Sequence, residues 1–279
     1  MRRAALLAGL GLVGTSVGAG IVARTRYARS RSALVDDLRS AATTTERVYT
    51  ADDVDGLPAP VRRYFEHVLT EGQPYVRVAR LTHRGEFRLG DATTPWRPLE
   101  ATELATTDPP GFVWDARIEV APFVPVRVVD AYVHGRGVLH AKLLAALTVA
   151  DAEPGPELDE GELLRYLGEA VWYPTALLPR SGVEWKAIDD RSARATLTDR
   201  ETTASLVFEF EDGEVRRVVG ERPYTRPDGS YDRVKWAGHW HDYVERAGLL
   251  IPREGSVEWH HPDGTVPYWR GRVTEIQYE

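Results

Sequence analysis

From Tyr75 to Tyr278 apolar and polar residues alternate with a period of two, the pattern of strands that bury one face. The alternation predicts strands near 76–89, 96–106, 112–120, 126–135, 137–149, 183–189, 192–199, 203–211, 214–222, 233–245, 251–261 and 265–278. Glu211-Asp212-Gly213, Pro227-Asp228-Gly229 and Pro262-Asp263-Gly264 read as turns between them, and Gly135-Arg136-Gly137 as a bend or bulge at a strand joint. Phe112, Trp114, Ala116, Ile118 and Val120 share one face, opposite Val113, Asp115, Arg117 and Glu119. Trp236, Trp240 and Val244 likewise face away from Lys235, His239, His241, Tyr243 and Glu245. Leu206, Phe208 and Phe210 repeat the arrangement, as do Val183, Trp185 and Ala187.

Two segments switch to helical spacing. Pro58 and Pro60 open a helix whose Val61, Tyr64, Phe65, Val68 and Leu69 form one apolar face, stopped by Gly72 and Pro74. The second helix covers about 160–173, with Asp159 as N-cap and Glu162 as its capping-box partner. Leu163, Leu164, Leu167, Ala170 and Val171 form its buried stripe, Arg165 can reach Glu162 and Glu169, and Pro174 ends it. A sheet with an aromatic-rich face must cover that face, and these helices are what is available. The expected fold is mainly β (α+β): a strongly curved antiparallel sheet, a half-barrel, covered by helices.

Ahead of the sheet, Ala4 to Ala23 carries no charge over twenty positions, with Arg2 and Arg3 before it and Arg24, Arg26, Arg29 and Arg31 after. At about 1.5 Å per residue such a helix crosses a hydrocarbon core of about 30 Å. An uncleaved single-pass membrane anchor is the expectation, with a secretory signal peptide as its rival. Sidedness stays open: the arginines after the span favour a body inside, the basic start an exported one, and the extracytoplasmic reading is preferred. The expected domains are 1–40 as anchor and basic juxtamembrane helix, 41–56 as linker and 57–279 as one curved-sheet domain. Two motif matches inside the run, Gly9-Leu-Gly-Leu-Val-Gly14 and Gly14-Thr-Ser-Val-Gly18, lack the strand context that a dinucleotide site or a nucleophile elbow needs. Gly14 and Gly18 offer instead a small-residue face for self-association.

The formal charge of −7 argues against a nucleic-acid partner, and the absence of cysteine removes disulfides, thiol nucleophiles and Cys-ligated metals. No motif implies a cofactor. His239 and His241 share a strand face, and His260, His261 and Asp263 follow nearby, but a turn near Ala247-Gly248 sets His239 opposite Ser256, and no third metal ligand is identified. Asp115, Asp130, His83 and His134, with Tyr132, lie in neighbouring strands and could serve acid–base chemistry, though no diagnostic spacing marks them. Trp172, Tyr173, Leu177 and Leu178 follow the second helix. They either plug the open side of the half-barrel or form a lid over an apolar pocket floored by Trp114, Trp185, Trp236 and Trp240 and lined by Phe208. Arg165 or Arg180 near the mouth would meet an anionic headgroup.

"LPAPVRRYF", "PGFVWDARI", "VVDAYVHGRG", "GELLRYLGEAVWYPTALLP" and "VEWKAIDD" together resemble the hallmark blocks of a family of uncharacterised prokaryotic membrane-anchored proteins, a domain of unknown function, over about 55–279. More loosely, the pattern is similar to the LolA/LolB-like lipoprotein carriers, which implies a half-barrel closed by helices around an acyl-chain cavity. The reading is a membrane-tethered binder of a lipid or acylated ligand. The alternatives are a hydrolase or isomerase of apolar substrates, and a structural envelope protein with no ligand.

Overall fold

The computed structural model describes the backbone of residues 2–226 and 228–279, and side chains at Gly20 and from Val22 onward, Pro227 excepted. Helices are α1 (Arg2–Ala41), α2 (Ala59–Val68) and α3 (Pro156–Glu169). Strands run β1 (Val78–Phe87), β2 (Arg97–Thr107), β3 (Pro110–Ala121), β4 (Val124–Val133), β5 (Arg136–Leu143) and β6 (Leu147–Asp151). After α3 come β7 (Val183–Asp189), β8 (Ser192–Asp199), β9 (Thr202–Glu211), β10 (Glu214–Thr225), β11 (Tyr231–Arg246), β12 (Leu249–His261) and β13 (Gly264–Tyr278).

All thirteen strands form one antiparallel sheet in the order β6-β5-β4-β3-β2-β1-β13-β12-β11-β10-β9-β8-β7. Two hairpin meanders, β1–β6 and β7–β13, therefore meet at the β1–β13 seam, and the free edges β6 and β7 are consecutive in the chain. The connector 152–182, carrying α3, spans from one edge to the other. Helix α3 touches β3, β4 and β5 on one side and β9 and β10 on the other. Strands β4 and β10 lie seven steps apart in the sheet, about 34 Å if it were flat at roughly 4.8 Å per step. A helix about 10 Å wide can touch both only if the sheet curls around it, which makes the sheet a half-barrel.

Glycines sit where the curl brings backbones together. Gly85, Gly271 and Gly255 pair in a row across β1, β13 and β12. A Cβ on Gly85 would stand 2.1 Å from the Arg270 carbonyl oxygen, and one on Gly255 would stand 2.6 Å from the Trp240 ring. No side chain fits at the seam.

The strand faces divide as the alternation predicts: Phe112, Trp114, Ala116 and Ile118 point into the concave core, while Val113 joins an outer cluster. Three details differ from expectation. The stretch read as one strand over 137–149 breaks into β5 and β6 at Leu144 and Ala145, both of positive φ (54° and 61°). Gly135 forms a tight turn with His134 (φ 83° and 53°), the bend rather than the bulge of the two readings for this joint. Helix α3 starts at Pro156 with Gly155 as N-cap. Asp159, expected as the cap, is buried inside it and accepts hydrogen bonds from the Gly137 amide (2.7 Å) and Arg136 (3.0 Å), fastening α3 to β5.

The segment 41–56, expected to be a linker, packs against the body. Val48 bridges Pro74, Ala51–Val54 forms a short 3-10 helix, and Tyr49 and Val54 join the core. The C-terminal part of α1 is likewise docked. Tyr27 and Leu38 are buried with Val78, Leu104, Val113, Val129, Ala131 and Val133 on the convex face, and Leu34 and Val35 pack alongside. Among the described residues no helix is long and apolar enough to cross a membrane. The predicted span Ala4–Ala23, with Gly14 and Gly18, lies almost wholly outside the residues whose side chains are described.

Candidate functional site

The concave side is filled unequally. Under α2, Tyr64, Phe65, Trp185, Phe208 and Phe210 interlock ring against ring, with centroids 5.1–6.4 Å apart. Between α3, β3–β5 and β10–β13 the sheet instead encloses a cleft of about 1110 Å³, at the upper end of ligand-pocket sizes (about 300–1,000 Å³). Its mouth is framed by the β1–β2, β10–β11 and β12–β13 hairpin tips.

Four of the nine side chains expected to form the apolar pocket line this cleft: Trp114, Trp172, Trp236 and Trp240. Tyr173, Leu177 and Leu178 are buried in the core without lining it, and Trp185 and Phe208 belong to the packed region under α2. The segment expected to form a plug or lid closes the far end of the half-barrel, where four hydrogen bonds tie it to the surrounding strands. Trp172 Nε1 donates to the Pro252 carbonyl (3.0 Å), Trp185 Nε1 to the Leu177 carbonyl (2.9 Å), Tyr278 OH to the Trp172 carbonyl (2.6 Å) and the Val76 amide to Thr175 Oγ1 (2.9 Å). This is a fixed floor. Lifting it would break bonds to β7, β12, β13 and the approach to β1.

Facing the tryptophans is a charged wall that periodicity did not place. Leu158, Gly161, Glu162, Arg165 and Glu169 recur at spacings of three and four, so they form one stripe along α3, and that stripe lines the cleft. Arg165 pairs with Asp130 (2.6 Å) and Glu169 (2.9 Å), lies 4.0 Å from Glu103, and sits over the rings of Phe112 and Trp114 at 4.7 and 4.8 Å. Arg222 pairs with Glu162 at 3.3 Å and lies over Trp236 and Trp259. The cluster holds four carboxyl groups (Glu103, Asp130, Glu162 and Glu169) against two guanidiniums. Glu103 Oε1 and Oε2, Asp130 Oδ1, Glu162 Oε2 and Glu169 Oε2 are buried without a hydrogen-bond partner.

Burial drives the acids upward. Glu103 and Glu162 are held well above the ordinary carboxylate range by desolvation, reinforced by the neighbouring carboxylates, and Glu169 is raised for the same first reason while Arg165 pulls it back. Desolvation opposes the charge on Arg165, yet the surrounding carboxylates hold its pKa well above normal. His83 is lowered to about 3 by burial, with Arg165 adding to the effect. Its ring stacks against Trp172 at 4.8 Å, and its Nδ1 stands 4.0 Å from Glu103, too far for a hydrogen bond.

The other sequence candidates scatter. Asp115 is on the convex face, bound by Tyr27 (2.8 Å) and Arg31 (3.1 Å). His134 pairs with Asp37 of α1 at 3.1 Å, and Tyr132 donates to Asp199 at 3.0 Å. The acid–base set therefore does not converge, because β3 and β4 present Asp115 and Asp130 to opposite faces. Arg180 caps the closed end, paired with Asp53 at 2.7 Å, far from the mouth. Arg165 is saturated by carboxylates and presents no free charge to an anionic headgroup. His239 stands opposite Ser256, as the turn predicts, and contacts Glu258 at 3.1 Å. Among the described residues no three metal-ligating side chains converge.

The sequence did carry a signal for the charged wall: ionisable residues on the apolar parity of a strand. Glu103 follows Leu99 and Ala101 on the inward side of β2, Asp130 follows Val126 and Val128, His83 follows Leu81, and Arg222 follows Val218 and Gly220.

Fold and cleft together define an antiparallel half-barrel with a deep opening, aromatic on one wall and charged on the other. The chain belongs to a family described as "Family of unknown function (DUF6920)", whose pattern matches residues 55–278. No curated protein matches the sequence. Among solved structures it is similar to a LolA superfamily protein from Nitrosomonas europaea, at 10% identity and a TM-score of 0.39 over 79% of this chain and 92% of that one. It is also similar to a beta-barrel-like protein of a domain of unknown function from Brucella abortus, at 12% identity and a TM-score of 0.25 over 73% and 99%. Both likenesses are shallow, and neither bears on function.

Proposed function

We propose that the chain is a membrane-tethered binding protein for an amphiphile, a lipid or acylated molecule, held in the cleft between α3 and the sheet. The observation that carries this reading is the orientation of α3, which turns a charged stripe inward across from Trp172, Trp236, Trp240, Trp259 and Trp269. A buried ionic cluster contributes little net stability and is costly to assemble, so its place on the wall of an open cleft favours a role in recognition. The apolar part of the ligand would lie on the indoles, each buried methylene contributing about 0.8 kcal/mol. The polar part would lie along α3. Asp130 offers an orphaned acceptor oxygen, and the raised acids Glu162 and Glu169 can donate as well as accept, so the head group that fits carries amine or hydroxyl groups rather than only another anion.

Native mass spectrometry of the chain extracted in mild detergent tests this. Wild-type protein is expected to retain one amphiphile per chain, and Val257→Trp, which adds an indole inside the cleft away from the charged stripe, to lose it while its unfolding free energy in urea stays within about 1–3 kcal/mol of wild type. Protein that is repeatedly bare and binds no fluorescent amine- or hydroxyl-headed lipid would overturn the reading.

A further inference from the structure

Large apolar side chains exposed to solvent are not spread evenly over the surface. Among the described residues they are Val22, Val48, Leu89, Phe123, Leu144, Leu147, Val149 and Ile188. All but Val48 and Ile188 lie toward one end of the half-barrel. The register fixes this: Phe87 pairs with Arg97 and Trp269, Leu99 with Ile118, and Val126 with Leu143. The tips at 88–96, 121–124 and 144–146 therefore share the end at which the cleft opens. Phe123 is 90% exposed, Leu147 65% and Val149 60%. Phe123 also holds a φ of 63°, a left-handed turn position where Gly or Asn is usual and a bare aromatic ring is unexpected. Close by, Trp96 is clasped between Arg88 and Arg270 at 4.4 and 4.5 Å.

The path of α1 says what covers this rim. Leu38 lies against Gly111 at the foot of β3, and eleven residues earlier Tyr27 bonds Asp115 further up the same strand. Read toward its N-terminus, the helix climbs the convex face to the end that bears the apolar tips. Its next residues, the exposed Arg26 and Arg24, lead to Ala23, the last residue of the uncharged run Ala4–Ala23. From Tyr27 to Ala23 a helix rises about 6 Å, whereas a strand from Asp115 to Ala121 rises about 20 Å. The tips thus reach at least as high as the start of the apolar run. Isolated exposed apolar residues need no explanation, but a set confined to one rim beside an uncharged twenty-residue helical run does.

We infer that the rim formed by Leu89, Phe123, Leu144, Leu147 and Val149 is a membrane-docking edge, covered by the bilayer that the Ala4–Ala23 run enters. Trp96 and the basic residues Arg24, Arg26, Arg29 and Lys142 stand where interfacial aromatics and cations meet headgroups. The opposite rim of the mouth carries Arg226, Asp228, His261 and Asp263 and stays in water. The cleft opens toward lipid on one side only, so a ligand enters along β1–β6 without crossing bulk water. This consequence for entry rests on the amphiphile reading; the docking edge does not.

The chain has no cysteine, so single-cysteine probes are unambiguous. The full chain is reconstituted into phosphatidylcholine–phosphatidylglycerol vesicles with a bimane label at Phe123→Cys, at Leu147→Cys, or at Asp212→Cys in the β9–β10 turn of the closed end. Doxyl-labelled lipid is expected to quench the first two several-fold more than the third. The native mass spectrum is a separate readout, so a bare cleft with a quenched rim would retain docking and reject the ligand. Equal quenching at all three positions, or none at Phe123, overturns the inference. So does efficient self-crosslinking of Leu147→Cys without quenching, which would assign the edge to a second copy.

Discussion

The two meanders that meet at the β1–β13 seam bury their faces differently. Strands β2–β4 carry an apolar patch on the convex face that α1 seals, and a concave face left partly open as the cleft. Strands β7–β9 show the reverse: Lys186, Arg194 and Glu209 point outward to water, while the concave face is packed under α2. A sheet needs one well-buried face to be stable, and each half has one. Placing the first half's apolar burial outside, under α1, frees its inner face to carry Glu103, Asp130 and His83. The charged cleft wall and the outer apolar cluster thus lie on opposite sides of the same strands.

Removing Arg165 tests that division most severely. Arg165→Met leaves Asp130, Glu169 and Glu103 without their shared cation, and breaking a buried pair in this way costs about 3–5 kcal/mol. Urea unfolding should show that loss. Hydrogen exchange should rise in β2–β4, which Arg165 ties to α3, more than in β9–β10, where Arg222–Glu162 still holds. A uniform rise across both halves would mean that the cluster does not separate them. Leu38→Ala attacks the outer burial instead. A fully buried leucine truncated to alanine costs about 2–5 kcal/mol, and the faster exchange should appear in 24–41 and the outer amides of β3 and β4. If the cleft binds the proposed amphiphile, unchanged affinity in this variant would show that bracing and binding are separable.

His83 lies at the seam itself, between Trp172 and Trp269. Its pKa is lowered from 6.5 to about 3, so the unfolded chain binds the proton and the folded one does not across that interval. Its contribution is complete above about pH 6.5 and is lost as pH falls toward 3. The raised acids Glu103, Glu162 and Glu169 act in the opposite sense: their stabilising protonated form is complete below about pH 4.5 and is lost as pH rises. The wild-type curve mixes the two, and the difference between wild type and His83→Phe isolates the histidine. Thermal midpoints should diverge progressively below pH 6.5, the variant falling less; parallel curves from pH 7 to 4 would show that His83 is hydrated or partnered.

Much of the fold was legible because strand alternation reports facing directly. The positions of Trp114, Trp236 and Trp240 on the inner face follow from parity alone. Whether Glu169–Pro179 is a plug or a lid was not legible, because only the strand order shows that this block joins the two sheet edges. Less legible was the cleft's chemistry. An i, i+4 Arg–Glu pair such as Arg165–Glu169 has the same spacing on an exposed helix as on one turned inward, and only the curl of the sheet decides which it is. The docking of α1 was hidden for a related reason. Tyr27, Leu34, Val35 and Leu38 are spaced as an amphipathic stripe, but the surrounding arginines suggested a headgroup-facing helix rather than one clamped to a sheet. Trp185 and Phe208 had the right parity and the wrong half, a distinction that needs strand order and not facing.

The smallest expected effect concerns the clamp between α1 and β3. Tyr27 donates to Asp115 Oδ1 at 2.8 Å, while Arg31 holds Oδ2 at 3.1 Å and Arg127 approaches to 4.0 Å. Burial first, and then the Asp115 charge, raise the Tyr27 pKa, so its hydroxyl stays protonated as a donor through the physiological range. Tyr27→Phe keeps the ring against the sheet and removes one hydrogen bond, a loss of about 1 kcal/mol, and Asp115 keeps its arginine partners. Global unfolding should shift barely beyond error. Exchange at residues 22–31, where α1 leaves the sheet for the rim, should quicken, because there the hydroxyl bond contributes a large share of a small local stability. If those amides exchange as slowly as in wild type, α1 is held by Leu38 and its neighbours alone, and the direction of its departure toward the apolar rim is set lower on the sheet than Asp115.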